Sequence, residues 1–187
     1  MNIANKISTF RILSVPFFIA SLAYYCPQRN YLRFIALGIF MLAALSDAAD
    51  GYMARKSKQQ SKAGLILDPL GDKLLLMSAF ICLYANTYLS PRFPLWVILI
   101  VISRDVIIIL GAIVVYIVKQ NINIIPTYWG KISTIAQVLA VVSVLLQLKY
   151  SPFFWWLAVA FTVISGALYV NRGFILLYGL DGSRNNH

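Results

Sequence analysis

Asp47–Lys73 reads DAADGYMARKSKQQSKAGLILDPLGDK and holds four of the chain's six acidic residues: Asp47, Asp50, Asp68 and Asp72. No Glu occurs in the 187 residues. The background is apolar, with 60% hydrophobic and 12% charged residues and a mean hydropathy of +0.78. Soluble domains carry about twice that charged fraction, so the composition specifies an integral membrane protein. A carboxylate near lipid is costly, and intramembrane acids default to function. Gathered acids repel one another unless cations neutralise them. The four Asp charges balance two divalent ions, so the stretch reads as the metal site of a membrane-embedded enzyme.

Outward from this stretch the chain divides into six apolar spans, at about 8–25, 32–54, 65–89, 94–118, 128–149 and 153–178. Lipid offers backbone groups no partners, so each span is expected to be helical. An all-α, polytopic fold follows, with six transmembrane helices in a single domain over residues 1–187 and no internal repeat. The first run, Ile12–Tyr25, continues past Ser21-Leu22-Ala23, which could pass for a signal-peptidase site; it is therefore read as a span rather than a cleaved leader.

The net charge of +10 does not point to nucleic acid, because the basic residues punctuate apolar spans as topology and headgroup signals do. With the N-terminus cytoplasmic, that side collects Lys6, Arg11, Arg55, Lys56, Lys58, Lys62, Lys119, Lys131, Arg172 and Arg184. The opposite side has Arg29, Arg33, Arg92 and Lys149. The positive-inside rule then puts both termini and the acidic stretch on the cytoplasmic side; the expected location is a bacterial inner membrane. His187, the single histidine, is the final residue, which removes histidine bases and triads. Cys26 and Cys82 lack metal or redox spacing and read as inert thiols.

Asp47 and Asp50 are three apart, and Asp68 and Asp72 four apart, so on helices each pair shares a face. A chain reversal between the second and third spans would let the pairs face each other at similar depth. Hard oxygen ligands suit Mg²⁺, Mn²⁺ or Ca²⁺. Gly51, Ala54 and Gly64 are small where bulk would block a ligand, although small residues also serve helix packing. An ion or proton-coupled transporter is the reading from a different class. Transporter sites lie near the midplane between internal repeats, whereas these acids flank a basic loop.

Asp47-x-x-Asp50-Gly51-x-x-Ala54-Arg55, eight residues, then Gly64-x-x-x-Asp68-x-x-x-Asp72 matches the signature of the CDP-alcohol phosphatidyltransferases, which this chain resembles. The resemblance extends to about Gln137. It implies a six-helix membrane fold of the CDP-alcohol phosphotransferase type, usually a homodimer. It also implies two divalent cations, Mg²⁺ or Mn²⁺, a CDP-diacylglycerol donor and release of CMP. By motif position, Asp47, Asp50 and Asp68 would be the principal metal ligands, and Asp72 both a ligand and the general base. Asp50, Gly51, Ala54, Arg55, Gly64 and Asp68 would bind the CDP moiety.

The acceptor is less sharply written. Asn5-x-x-Ser8-x-x-Arg11 and Gly130-Lys131-x-x-Thr134-x-x-Gln137 resemble members of the family that make phosphatidylglycerophosphate. Ser8 stands where Thr is usual, and Ser133 where many carry a second Lys. Arg104-Asp105, with no further Arg following, is closer to eukaryotic-type cardiolipin synthases. An ion pair between packed helices is the alternative for these two residues. Asn5, Ser8, Arg11, Lys73, Arg104, Lys131 and Thr134 are the candidate acceptor-binding residues. Glycerol 3-phosphate is the acceptor favoured; phosphatidylglycerol, giving cardiolipin, is the alternative.

Overall fold

The computed structural model describes the backbone of residues 3–57, 64–119 and 128–178, with side chains at 10–46, 71, 73–111 and 128–173. Among these residues there are six α-helices, one short 3-10 turn and no strand. The helices are α1 (Ile3–Ala23), α2 (Tyr31–Ser57), α3 (Gly64–Ala85), α4 (Leu95–Lys119), α5 (Tyr128–Leu145) and α6 (Ser151–Tyr178), with the turn at Pro27–Arg29. The all-α expectation holds. Two helical segments, Tyr128–Leu145 and Ser151–Gly173, are long and apolar enough to cross a membrane by length and composition.

The helix ends differ from the apolar runs for identifiable reasons. α1 begins at Ile3 rather than at 8, because hydropathy marks depth in lipid and a helix can continue into its polar edge. α3 stops at Ala85, short of 89, where Asn86 diverts the chain. Its Oδ1 accepts the Tyr88 N–H at 3.0 Å, and its Nδ2 donates to the Leu22 carbonyl at 2.8 Å. Asn favours such turns by replacing a backbone partner with its own side chain. α6 starts with Ser151, whose hydroxyl reaches the carbonyls of Leu148 at 2.6 Å and Ser143 at 3.0 Å.

α5 ends at Leu145, not 149, in a Schellman closure. The Leu148 N–H donates to the Ser143 carbonyl at 3.0 Å and the Gln147 N–H to the Val144 carbonyl at 2.9 Å. Gln147 takes φ 52°, the left-handed conformation usually given to Gly at this position. Its Nε2 donates to the Tyr25 hydroxyl at 3.3 Å, a contact that glycine could not supply.

The helices form two compact units. The first comprises Met1–Pro94 and Val138–Pro152. In it, α1 packs against both α2 and α3, whereas α2 and α3 meet each other far less among the described residues. Phe18 packs on Phe40 with ring centroids 5.9 Å apart, and Phe80 on Phe93 at 4.7 Å. Ala36, Ala43 and Ala79 are fully buried, small side chains that let helices approach closely. The second unit comprises Leu95–Gln137 and Phe153–His187. Trp96 meets Trp156 at 5.0 Å there, and Trp129 meets Phe161 at 6.4 Å.

The left-handed residue gives a test of the α5 terminus. Gln147→Val should cost about 1–2 kcal/mol, since a β-branched side chain fits φ above zero poorly. Gln147→Gly should be close to neutral, because backbone relief offsets the lost bond to Tyr25. Thermal unfolding in detergent checks both; equal stability of the Val and Gly variants would contradict the Schellman closure.

Candidate active site

The donor signature falls on two helices of the first unit. Asp47, Asp50, Gly51, Ala54 and Arg55 occupy the C-terminal part of α2, while Gly64, Asp68 and Asp72 open α3. Helical backbone through both segments fulfils the premise of the spacing: Asp47 and Asp50 share a face of α2, and Gly64, Asp68 and Asp72 recur every four residues along α3. The side chains of these eight positions lie outside the described residues, as do those of Asn5 and Ser8 on α1. The expected facing of the two Asp pairs therefore falls there too.

Among the acceptor candidates, Arg11 and Lys73 belong to the first unit, and Arg104, Lys131 and Thr134 to the second. Arg11 is buried on α1 and Lys73 half-buried on α3. Arg104 is 7% exposed and Asp105 1% exposed on α4. One Arg104 terminal nitrogen donates to Asp105 Oδ1 at 2.7 Å, and the other to Ser165 Oγ on α6 at 2.6 Å. A Cβ added at Gly166 would meet Arg104 Cγ at 3.3 Å, so the glycine makes room for the arginine stem. Arg104 is thus ion-paired, with both ends of its guanidinium fork engaged, but within α4 rather than between packed helices as expected; what crosses to α6 is the hydrogen bond to Ser165.

α5 presents two chemically different faces. Ser133 and Gln137, one turn apart, are fully buried against Thr162 of α6. Ser133 Oγ lies 3.1 Å from Thr162 Oγ1, and Gln137 Nε2 donates to Thr162 Oγ1 at 2.9 Å. A second Lys in place of Ser133 would carry an ammonium into this buried contact, which accounts physically for the departure from the family pattern. Lys131 is exposed and Thr134 half-buried, its hydroxyl donating back to the Gly130 carbonyl at 3.2 Å. No hydrogen bond or ion pair joins Arg104, Lys131 and Thr134 to one another among the described residues.

Thr162 and Ser165 escaped the sequence reading. They are three apart in the apolar middle of α6, hence on one face, and that spacing is the signal that could have found them. Hydroxyls so placed hydrogen-bond across helices, here to α5 and α4.

A family model described as CDP-alcohol phosphatidyltransferase matches residues 1–164. The chain is similar to a CDP-diacylglycerol--glycerol-3-phosphate 3-phosphatidyltransferase of Bacillus subtilis, 33% identical over 188 residues, covering 91% of this chain and 94% of the relative. A protein of that same description from Haemophilus influenzae is 33% identical over 144 residues, covering 74% and 72% of the two chains. A probable phosphatidylglycerophosphate synthase of Mycobacterium tuberculosis is 30% identical over 177 residues, covering 91% and 81%.

The Arg104 cluster yields a stability test. Arg104→Ala deprives buried Asp105 of its 2.7 Å cationic contact, and breaking a buried pair from one side costs about 3–5 kcal/mol. Arg104→Ala combined with Asp105→Ala should recover much of that loss in thermal unfolding. Additive losses in the double variant would deny the coupling.

Proposed function

This chain belongs to the CDP-alcohol phosphatidyltransferase family, and from that premise we propose that it makes phosphatidylglycerophosphate, transferring a phosphatidyl group from CDP-diacylglycerol to glycerol 3-phosphate with release of CMP. The observation that carries the reading is the complete Asp47–Asp72 signature on helical backbone, within a family match reaching residue 164. The relatives' names support the choice of acceptor.

The donor set fits divalent metal: four carboxylates, no competing His and hard oxygen ligands. Asp47, Asp50, Asp68 and Asp72 would hold two cations, Mg²⁺ or Mn²⁺. Bound there, such ions supply charge neutralisation to the diphosphate and to the departing CMP. Asp72 takes the proton of the acceptor hydroxyl as its oxygen bonds to the phosphatidyl phosphorus, and the bond from that phosphorus to CMP breaks. Gly51, Ala54 and Gly64 leave space for the cytidine and phosphates, and Arg55 pairs with the diphosphate. By sequence position alone, Arg11, Lys73, Arg104 and Lys131 are the candidate cations for the acceptor phosphate. Phosphoryl transfer needs chiefly positioning and charge stabilisation, which a histidine-free site can provide.

The reading includes one membrane domain over residues 1–187, six transmembrane helices, a homodimer, and an active site and termini facing the cytoplasm of a bacterial inner membrane. Two apolar helices of spanning length support it, as do shorter apolar helical stretches at Phe10–Ala23, Tyr31–Ser46 and Lys73–Ala85. The basic-residue asymmetry supports the orientation. The homodimer rests on the family resemblance. Cardiolipin synthesis is the second reading, favoured by Arg104-Asp105 without a following Arg.

Purified protein should release CMP from CDP-diacylglycerol, stop on chelation by EDTA and resume with Mg²⁺ or Mn²⁺. Asp72→Asn should lower turnover by about 10²–10⁴ while donor binding survives far better; near-wild-type turnover would exclude Asp72 as the base. With glycerol 3-phosphate and phosphatidylglycerol both present, mass spectrometry should find phosphatidylglycerophosphate. Cardiolipin alone would reassign the acceptor and leave the donor chemistry intact.

Orientation is tested separately, by single cysteines at Ser57 and at Tyr150, which is 75% exposed, in a protein whose Cys26 and Cys82 have been replaced. An impermeant thiol reagent applied to intact cells should label the Tyr150→Cys protein and spare the Ser57→Cys protein. The reverse pattern would invert the topology.

A further inference from the structure

Arg33 stands in the first turn of α2 and is 7% exposed. Its Nε is buried with no hydrogen-bond partner, and its guanidinium makes no ion pair or hydrogen bond among the described residues. Its contact is the ring of Phe34, with Cζ 4.9 Å from the centroid. An aromatic face attracts a cation but does not neutralise it. The nearest acid along α2 is Asp47, 14 residues further on, about 21 Å away at the rise of a helix. The first unit has no acidic residue nearer to Arg33 along that helix, and a guanidinium held near lipid calls for an anion.

The surroundings indicate which anion. Tyr24, Tyr31, Tyr88 and Tyr150 are all exposed, at the end of α1, the start of α2, the loop after α3 and the turn before α6. These segments share one end of the unit, because Asn86 bonds to the Leu22 carbonyl and Gln147 to the Tyr25 hydroxyl. Tyrosines concentrate at headgroup depth. Arg29, Arg92 and Lys149 are exposed on the same connections. Phe34 and Ile35 beside Arg33 are 52% and 46% exposed, an apolar surface for acyl chains.

We propose that Arg33 is the centre of a binding site for the phosphodiester of an anionic phospholipid, at the end of α2 opposite its two Asp residues and apart from the reacting groups. It rests on the membrane reading of the chain and not on the transfer chemistry. A guanidinium offers parallel N–H donors that match phosphate oxygens, and the remaining exposed fraction of Arg33 is where such oxygens would approach. Free phosphate has the same oxygens but no use for the tyrosine and apolar surroundings, which favour a lipid.

Native mass spectrometry of the purified full chain in neutral detergent tests the site, with phosphatidylglycerol, phosphatidylcholine or inorganic phosphate added in parallel. The wild type should retain phosphatidylglycerol at least about tenfold more strongly than phosphatidylcholine, a difference of about 1.4 kcal/mol, and should not retain phosphate. Arg33→Gln should bring phosphatidylglycerol down to the phosphatidylcholine level. Arg33→Lys should keep part of the preference, since an ammonium binds phosphate as a point charge. Should the Gln variant not fold, Arg33→Met preserves an apolar stem and removes the charge. Equal phosphatidylglycerol retention by wild type and charge-free variant overturns the proposal, as does retention of inorganic phosphate to the same extent. So does a dimer that the charge-free variant dissociates without change in lipid retention, which would assign the guanidinium to a second copy. Turnover is not read: Arg33-dependent lipid retention without CMP release would sink the transferase reading and leave this site standing.

Discussion

The packing of α1 against both α2 and α3 is the contact on which the acidic constellation depends. The two helices that carry the four Asp residues meet each other only briefly among the described residues, yet each lies along α1. Buried Phe18 and Leu22 of α1, with Ala36, Phe40 and Ala43 of α2 and Ala79 and Leu83 of α3, make the apolar interior of this unit. The proposed sharing of cations by these carboxylates would tolerate little drift, because both repulsion and coordination change steeply over an ångström. Placing them on helices braced by a third fixes their backbones without requiring the acids to attract one another.

Away from that constellation, buried polar groups are largely answered by neighbours a helix turn or a helix contact away. Arg104 is met by Asp105 and Ser165, and Gln137 by Thr162. The reason is energetic: an unmatched polar group in an apolar interior costs several times what a satisfied one contributes. α6 supplies Thr162 and Ser165 from one face, so a helix that looks inert by composition carries partners for both α4 and α5. Single buried atoms stay without a hydrogen bond in several of these groups, Arg104 Nε, Gln137 Oε1 and Arg33 Nε among them; Arg33 differs in that its guanidinium contact among the described residues is an aromatic ring rather than a polar group.

The sequence made the existence and type of the helices legible because apolar runs in lipid leave the backbone one economical solution. It made the spacing of Asp47, Asp50, Asp68 and Asp72 legible because separations of three and four have a fixed meaning on a helix. The ends of α3 and α5 were not legible. Leu89 and Leu146 continue the apolar pattern, but Asn86 and Gln147 close the helices through side-chain and left-handed contacts that hydropathy does not register. The cross-helix bonds of Ser133, Gln137 and Thr162 depend on which faces meet, a property of packing rather than of any one span.

Ser133 joins these levels. Read along the chain, it is a missing cation, and the loss of a Lys weakens the case for a phosphate-bearing acceptor. Read in the fold, it faces α6 with no exposed surface and bonds to Thr162, while Lys131 on another face of α5 remains exposed. Charge at position 133 would have to be desolvated in a contact with no acidic partner among its described neighbours, whereas charge at 131 stays hydrated. The substitution therefore exchanges an ion at the packed face for a neutral hydrogen bond, and leaves the accessible cation in place. A departure from the family pattern in sequence becomes, once the helix faces are known, consistent with the same acceptor chemistry.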